Sequence, residues 1–462
     1  MHKETNLKLK SNMKTLALVS IPALINFMRK FFLESAKCIV ILLIVAGFFS
    51  CDKQSFFERS SQIVLLDNTF GQNGRTLIPN TSEISFLDSD THGNIIAVGY
   101  TLIGGGKSYL TIAKTNADGI IDESFGNNGL VKVTDYDNSS PIGMKITNDN
   151  KIIVIGSFTK VQFQGSETII MRFNENGTVD ENFGNNGKVD LSFNTGYIMS
   201  LNFDNDDFML IAKQEGETIE KNGTLYYIHT GYSITKYNYE GQIDKTFGED
   251  GIVFFSNNET MSIAPYRMKI LKNGSIIIAG TYNVWPNIEL GFCKLTPTGK
   301  LNTDFANGGV WHMNVMQDFD LDHEYFSNVL EDSSGNLIFS GSGLQNSLGW
   351  GNRAFLSKFS SNGILDKSFG KNGFYCFDFG DSNKPIFQIG NKYMTAGWYN
   401  NDSHRLISIN NDGSYGNYVY TSEIYYFQNM IPQGNNKIIL GGGYRIDNSY
   451  NAYFALERVI VD

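Results

Sequence analysis

Six near-copies of one nine-residue phrase punctuate this chain at nearly even intervals, and that periodicity limits what it can fold into. The phrase reads Leu-Asp-Asn-Thr-Phe-Gly-Gln-Asn-Gly at 66–74, Ile-Asp-Glu-Ser-Phe-Gly-Asn-Asn-Gly at 121–129 and Val-Asp-Glu-Asn-Phe-Gly-Asn-Asn-Gly at 179–187, and it returns at 243–251, 301–309 and 365–373. Its phenylalanines, Phe70, Phe125, Phe183, Phe247, Phe305 and Phe369, are 55, 58, 64, 58 and 64 residues apart. A period of this size marks a repeat architecture, in which each unit is one supersecondary element that buries its apolar face against its neighbours. No linker or low-complexity stretch interrupts the period, so a single repeat domain is expected over 62–462.

Within each period the residues fall into four short runs of β character bounded by turn residues. In the first, Arg75 to Ile78 follows the phrase, Ile84 to Leu87 leads into a turn at Thr91 to Asn94, Ile95 to Gly99 runs outward, and Leu110 to Lys114 enters the turn Asn116 to Gly119. The third run is the clearest ruler, recurring seven times from Asn94-Ile-Ile-Ala-Val-Gly to Lys437-Ile-Ile-Leu-Gly-Gly. With 47 Gly, only 8 Pro and 13% aromatic residues, the composition suits short strands joined by Gly, Asn and Asp turns. The expected fold is all-β, a seven-bladed β-propeller of four-stranded antiparallel blades, which protects its sheet edges by radial packing. Gln62 to Leu66 and Val459 to Asp462 occupy the same place in the repeat, so the two ends should meet.

The phrase itself has a structural reading. Asp67 and its counterparts can accept hydrogen bonds from the backbone two residues on, Gly71 and Gly74 permit positive φ, and Phe70 offers a wedge between neighbouring sheets. A ring of calcium sites on these aspartates is disfavoured, because each phrase reliably supplies one carboxylate and calcium wants six or more oxygens. With its (Leu/Ile/Val)-Asp-x-(Ser/Thr)-Phe-Gly-x-x-Gly signature, the repeat resembles the delta-60 repeat family of secreted and surface bacterial proteins. Phe305-Ala306 and the worn phrase Asp412-Gly-Ser-Tyr-Gly depart from that signature. The family brings no established chemistry, so the resemblance assigns no functional residue.

The first 50 residues are of another kind. Cys38 to Phe49 is an unbroken run of 12 apolar or small residues, preceded by Arg29, Lys30 and Lys37 and followed by Ser50-Cys51. A basic start, a short apolar stretch and a small residue before the cut describe a secretory signal, and the run is short for a membrane span. Phe-Phe-Ser-Cys at 48–51 resembles a bacterial lipobox of the Bacteroidetes type. That resemblance implies a signal region over 1–50, cleavage before Cys51, acylation of Cys51, a short tether over 51–61, and lipid anchoring at the outer membrane or cell surface. Met28-Arg-Lys-Phe-Phe makes a better signal start than Met1, which points to Met28 as the initiator. Removing residues 1–50 takes away seven of 37 Lys and Arg and two of 47 Asp and Glu, leaving 30 against 45, a net charge of −15. So acidic a body argues against nucleic acid and against electrostatic attachment to anionic lipid; the membrane would be reached through acyl chains alone.

Function is expected on variable loops carried by the regular scaffold. Lys213 to Gly231 reads as one such loop, with Glu215, Glu217, Glu220, Tyr226, Tyr227 and His229; Gln317 to Tyr325 reads as another, alternating Asp318, Asp320, Asp322 and Glu324. Alternating carboxylates can wrap a calcium ion, but the Gly and distal Glu of an EF-hand loop are missing and a solvated acidic loop explains the pattern as well. Trp285, Trp350, Tyr226 and Tyr227 are candidate contacts for a glycan, peptide or protein, since exposed aromatics give large area at little entropy cost. Packing over the blade is the competing reading of the two tryptophans, whereas Trp311 and Trp398 fall in strand patterns and read as core. Cys293 and Cys376 lie in apolar strands where a free thiol packs as a small hydrophobe, and a disulfide between them is left open. No cofactor is implied. His92, His229, His312, His323 and His404 scatter over different repeats, and no Gly-x-Ser-x-Gly or phosphate loop is present. The expected function is therefore a monomeric, surface-anchored binding module. A propeller enzyme acting on carbohydrate through central carboxylates, and a purely structural surface protein, are the alternatives.

Overall fold

Alternating apolar residues produce strands in every period, and Gly, Asn and Asp turns close them. The computed structural model describes residues 65–461 apart from 161–164, 192–197, 205–207, 222–223, 257–262, 285–286, 314–320, 346–350, 378–383, 401–402, 422–423, 425 and 446–451, and among the described residues there is no helix. All the strands belong to one compact unit.

Leu65–Leu66 (β1) and Arg75–Ile78 (β2) flank the first phrase. Glu83–Ser89 (β3), Ile95–Ile103 (β4), Lys107–Thr115 (β5) and Leu130–Val133 (β6) form one antiparallel meander, and Asn138–Ile146 (β7), Ile152–Thr159 (β8), Glu167–Phe173 (β9) and Lys188–Asp190 (β10) form a second. A single parallel pairing of Ser108 with Asn138 joins these two into an eight-stranded sheet. Next come the four-stranded sheets Ile198–Phe203 (β11), Phe208–Lys221 (β12), Thr224–Asn238 (β13), Ile252–Ser256 (β14), and Arg267–Ile270 (β15), Ile276–Val284 (β16), Asn287–Leu295 (β17), Val310–Met313 (β18). Two more follow: Leu321–Glu331 (β19), Leu337–Gln345 (β20), Gly351–Phe359 (β21), Phe374–Cys376 (β22), then Phe387–Ile389 (β23), Lys392–Asn400 (β24), Ser403–Asn410 (β25), Tyr415–Thr421 (β26). The last sheet combines Tyr426–Gln433 (β27), Lys437–Arg445 (β28) and Ala452–Ile460 (β29) with β1 and β2, both of which pair with β29. The two ends meet as the repeat requires, Leu65 against Ile460 and Leu66 against Val459.

One expectation is corrected. The sequence pattern groups the strand after each phrase with the three that follow it, whereas the structure pairs that strand with the one before the phrase: β6 with β5, β10 with β9, β14 with β13, β18 with β17, β22 with β21 and β2 with β29. The phrase is thus a hairpin turn inside a sheet. Its backbone closes on itself, Phe125 N donating to Asp122 O at 3.0 Å and Gly129 N to Phe125 O at 2.9 Å, which returns Leu130 alongside Ala113.

The six phrase phenylalanines are at most 2% exposed. Five of the rings lie against the turn glycine of the next period: a Cβ on Gly119 would meet Phe70 at 2.6 Å, one on Gly299 would meet Phe247 at 2.9 Å, and one on Gly363 would meet Phe305 at 2.7 Å. The wedge therefore needs Gly opposite it, and burying each ring contributes about 1.5–3 kcal/mol. Beside the ring runs a backbone stitch between periods: Gly71 N donates to Asp118 O at 2.7 Å, Gly126 N to Asn176 O at 2.9 Å and Gly248 N to Thr298 O at 2.9 Å. Both departing junctions keep it, with Ala306 N on Asn362 O at 2.8 Å and Gly370 N on Asp412 O at 3.1 Å.

Two stretches read as loops prove to be strands. Lys213 to Gly231 belongs to the β12–β13 hairpin, whose register runs without a break in pairing from Phe208–Asn238 to Lys221–Thr224 apart from one bulge at Glu215–Gly216. From Leu321 onward, the acidic stretch is already in β19, with Asp322 opposite Leu344. A solvated hairpin alternates polar residues much as a loop does, so composition alone did not separate them.

Candidate functional site: a pocket where the repeat departs from itself

Most of the polar network is structural and repeats with the scaffold. Lys114, Arg172, Lys236, Lys294, Lys358 and Arg458 occupy one register position, opposite Ile96, Ile153, Leu210, Ile277, Ile338 and Ile439. Arg172 shows their role: it pairs with the phrase carboxylate Asp180 at 2.8 Å, donates to Tyr239 O of the next period at 2.8 Å, and lies over the Phe183 ring at 4.7 Å. Arg458 does the same with Asp67 at 2.9 Å, Ala117 O at 3.0 Å and the Phe70 ring at 4.9 Å. The phrase carboxylates also accept the expected backbone bonds, for example Thr69 N on Asp67 at 3.1 Å and Thr246 N on Asp244 at 3.0 Å. Burial pushes the Asp67 carboxyl up, but hydrogen bonds from Lys437 and Thr69 and the charge of Arg458 outweigh it and hold the group well below the usual carboxylate range. Asp180 and Asp244 are lowered in the same way, against burial, by Lys151 and Arg172 and by Thr246 and Lys236. These carboxylates are committed to cations and amides rather than to a metal ion.

The same holds for Asp90, His92 and Glu175, which lie close enough to suggest a metal centre. The Lys114 ammonium is 3.3 Å from Asp90 and 3.5 Å from Glu175, and Asp90 accepts from His92 N, Asn94 N and Asn94 Nδ2 at 2.7–2.9 Å. An ammonium and three amide donors already fill its acceptor sites.

The β15–β18 sheet is different. Opposite the glycine that closes the third run, other sheets carry Thr111, Ile169, Phe355 and Arg405, but here Gly291 faces Gly280. Gly291 also pairs with His312, and Tyr282 pairs with Glu289, so Tyr282, Glu289, Gly291 and His312 share one face. With no side chain at Gly291, the Tyr282 and His312 rings close over it, stacked with centroids 4.4 Å apart and planes inclined by 17°. A Cβ at Gly291 would come within 2.7 Å of the Tyr282 Cβ. Glu289 reaches His312 Nδ1 at 2.6 Å. Trp311 is half-buried, stacked on Phe292 at 5.0 Å and edge-on to Phe359 at 4.8 Å, so it packs on core aromatics while also bordering the cavity.

The second wall is the fifth phrase, at the point where it departs from the other copies. Ala306 takes φ 50° where the others have Gly, and Gly308 takes φ 65° where the others have Asn73, Asn128, Asn186, Asp250 and Asn372 at φ 50–54°. A Cβ added at Gly308 would meet nothing within 4 Å. The result is a half-open cavity of about 310 Å³ lined by Tyr282, Leu301, Asn307, Gly308, Val310, Trp311 and His312. A second cavity of about 200 Å³, beside β6 and β10, has its charged residues already paired, Lys188 lying 3.5 Å from Asp135.

Of the residues singled out from sequence, Trp285, Trp350, Asp318, Asp320 and Cys51 lie outside the described residues. Tyr226 and Tyr227 are placed in β13, opposite Ile219 and Thr218, and Asp322 in β19; only their backbones are described. Cys293 is a free thiol, fully buried, so it does not pair with Cys376; burial pushes it up to about 12. Tyr282, Glu289 and His312 were not singled out as a group. Their signal was indirect, in the off-pattern Gly291 and the off-pattern fifth phrase.

A family described as a domain of unknown function, DUF5122 β-propeller, matches residues 147–183. No curated protein matches the chain. Among solved structures, the chain is similar to a protein of unknown function from Dyadobacter fermentans DSM 18053 at 10% identity and TM-score 0.39, covering 84% of this chain and 98% of that one. It is also similar to the polysaccharide lyase Uly1 at 10% identity and TM-score 0.46, covering 90% and 97%. A GH43_1 enzyme from Xanthomonas citri complexed with xylose shows 8% identity and TM-score 0.30, covering 58% and 92%. These are distant likenesses of fold and say nothing about the pocket.

Proposed function

We propose that this protein is a lipid-anchored binding module built on a seven-bladed propeller of delta-60-type repeats, and that the Tyr282–His312 pocket receives one sugar ring of a glycan. Counting the two linked meanders separately, the sheets come to seven, and β1 and β2 complete the last of them, as a closed ring would need. An experimental structure with six or eight blades, or with an open array, would contradict that part. The anchor rests on the lipobox at 48–51. Cys51→Ser should abolish labelling by a palmitate analogue and move the protein to the soluble fraction; a variant that still sediments with salt-washed membranes would rule the anchor out.

The observation that carries the binding role is that both departures from the repeat, Gly291 and the Ala306–Gly308 turn, converge on one cavity. Elsewhere the positions of Gly291 and Gly308 carry side chains, so these two departures create space the fold does not require. The cavity is at the small end of ligand sites and offers a stacked aromatic pair with polar groups at its edge, which suits a pyranose ring. Hydrolysis of a glycoside ordinarily needs two carboxyl groups flanking the bond, and among the described residues only Glu289 joins this group, already bonded to His312. Binding is therefore favoured over cleavage. The test is a glycan array on the mature protein followed by titration of the best ligand against Tyr282→Ala. Binding should weaken roughly tenfold, the effect of losing about 1.4 kcal/mol of contact, with the melting temperature little changed. Unaltered affinity would remove the pocket from the account.

A further inference from the structure

We infer that Glu289 sets the hydrogen-bonding polarity of this pocket so that it admits neutral sugar units and rejects uronates. The inference rests on the glycan reading above and names the ligand class within it. Glu289, ionised, is an acceptor only, so the 2.6 Å contact with His312 requires the proton to be on Nδ1. In the neutral imidazole this leaves Nε2 as a lone-pair acceptor, and it has no partner among the described residues. His312 is 46% exposed at its side chain and borders the cavity, while Glu289 is 19% exposed. Asn307, exposed at the rim, has a side-chain amide without a partner among the described residues and can donate or accept.

These groups match a sugar hydroxyl. The hydroxyl donates to His312 Nε2 and the Asn307 amide takes a neighbouring oxygen, while the ring lies against the aromatic pair. A carboxylate in the same place has no proton to donate to Nε2 of the neutral imidazole and approaches the charge of Glu289, and among the described residues no Lys or Arg lines the cavity to offset that repulsion. The acidic balance of the chain, 47 Asp and Glu against 37 Lys and Arg, adds to the bias.

The experiment titrates the wild-type protein and Glu289→Gln with gluco-, galacto- and manno-oligosaccharides and with the same oligosaccharides oxidised to uronates at C6. Neutral forms should bind about tenfold tighter than their uronate partners, in line with the cost of like-charge juxtaposition. Glu289→Gln removes the charge and lets His312 carry its proton on either nitrogen, so this ratio should shrink several-fold. Uronates binding as tightly as neutral forms, or a ratio unchanged in Glu289→Gln, would overturn the inference and leave the glycan reading standing. No binding of either series would overturn both.

Discussion

Phe183 shows how much one residue of the phrase does. It is fully buried, it lies against Gly241 of the next period, and the Arg172 guanidinium sits 4.7 Å above its ring. Phe183→Ala should cost about 3–5 kcal/mol in chemical denaturation, because the cavity is enclosed by two sheets that cannot collapse into it. A loss under about 1 kcal/mol would mean that the ring is not the wedge between periods. At this scale the sequence was informative: the recurring Asp, Phe and Gly each have a local conformational duty that a single copy already suggests. Tyr282 and His312 were harder to see. They are 30 residues apart, and they meet only because the absence of a side chain at Gly291, between them, is filled by their rings.

Among the elements, the hairpin turn and the basic residue across from it form the unit that is copied. Lys114, Arg172, Lys236 and Lys358 each precede the phrase Asp by eight residues, and Lys294 precedes Asn302 by the same distance, a spacing visible in the sequence once one knows to look. The pairing of the post-phrase strand with the strand before it was not visible, because register in a hairpin is set by turn geometry rather than by hydrophobic pattern. The lowered Asp67, Asp180 and Asp244 fix the sign of an acid dependence. Their folded values lie below those of the unfolded chain, so the stability they supply is complete above about pH 4 and disappears as pH falls through the folded values. Denaturant midpoints should therefore hold between neutral pH and about pH 5 and drop below about pH 4. In Asp180→Asn the drop should be smaller and the midpoint at neutral pH lower. Equal acid sensitivity in the variant and the wild type would mean that the ladder is not what titrates.

For the molecule as a whole, the proposed function divides the chain into copies that hold the fold and departures that serve a ligand. The division was only partly legible in advance, since a worn phrase looks the same on the page whether it has decayed or been put to use. The fifth phrase has exchanged the Asp for Asn302 but keeps its buried Phe305 and its backbone stitch to Asn362, so the wedge and the link to the next period are intact. What it has given up is the side chain at Gly308, and with it one wall of the cavity. Gly308→Asn restores the residue that four of the other phrases carry at φ 50–54°, a backbone conformation Asn tolerates. The variant should fold with unchanged or slightly raised stability. Titrating the glycan found for the wild type against Gly308→Asn, with a thermal melt of the same sample, tests the division directly. The expected result is an unchanged melt and binding weakened about tenfold or more, about the loss of 1.4 kcal/mol; an unchanged melt with unchanged binding would overturn the division.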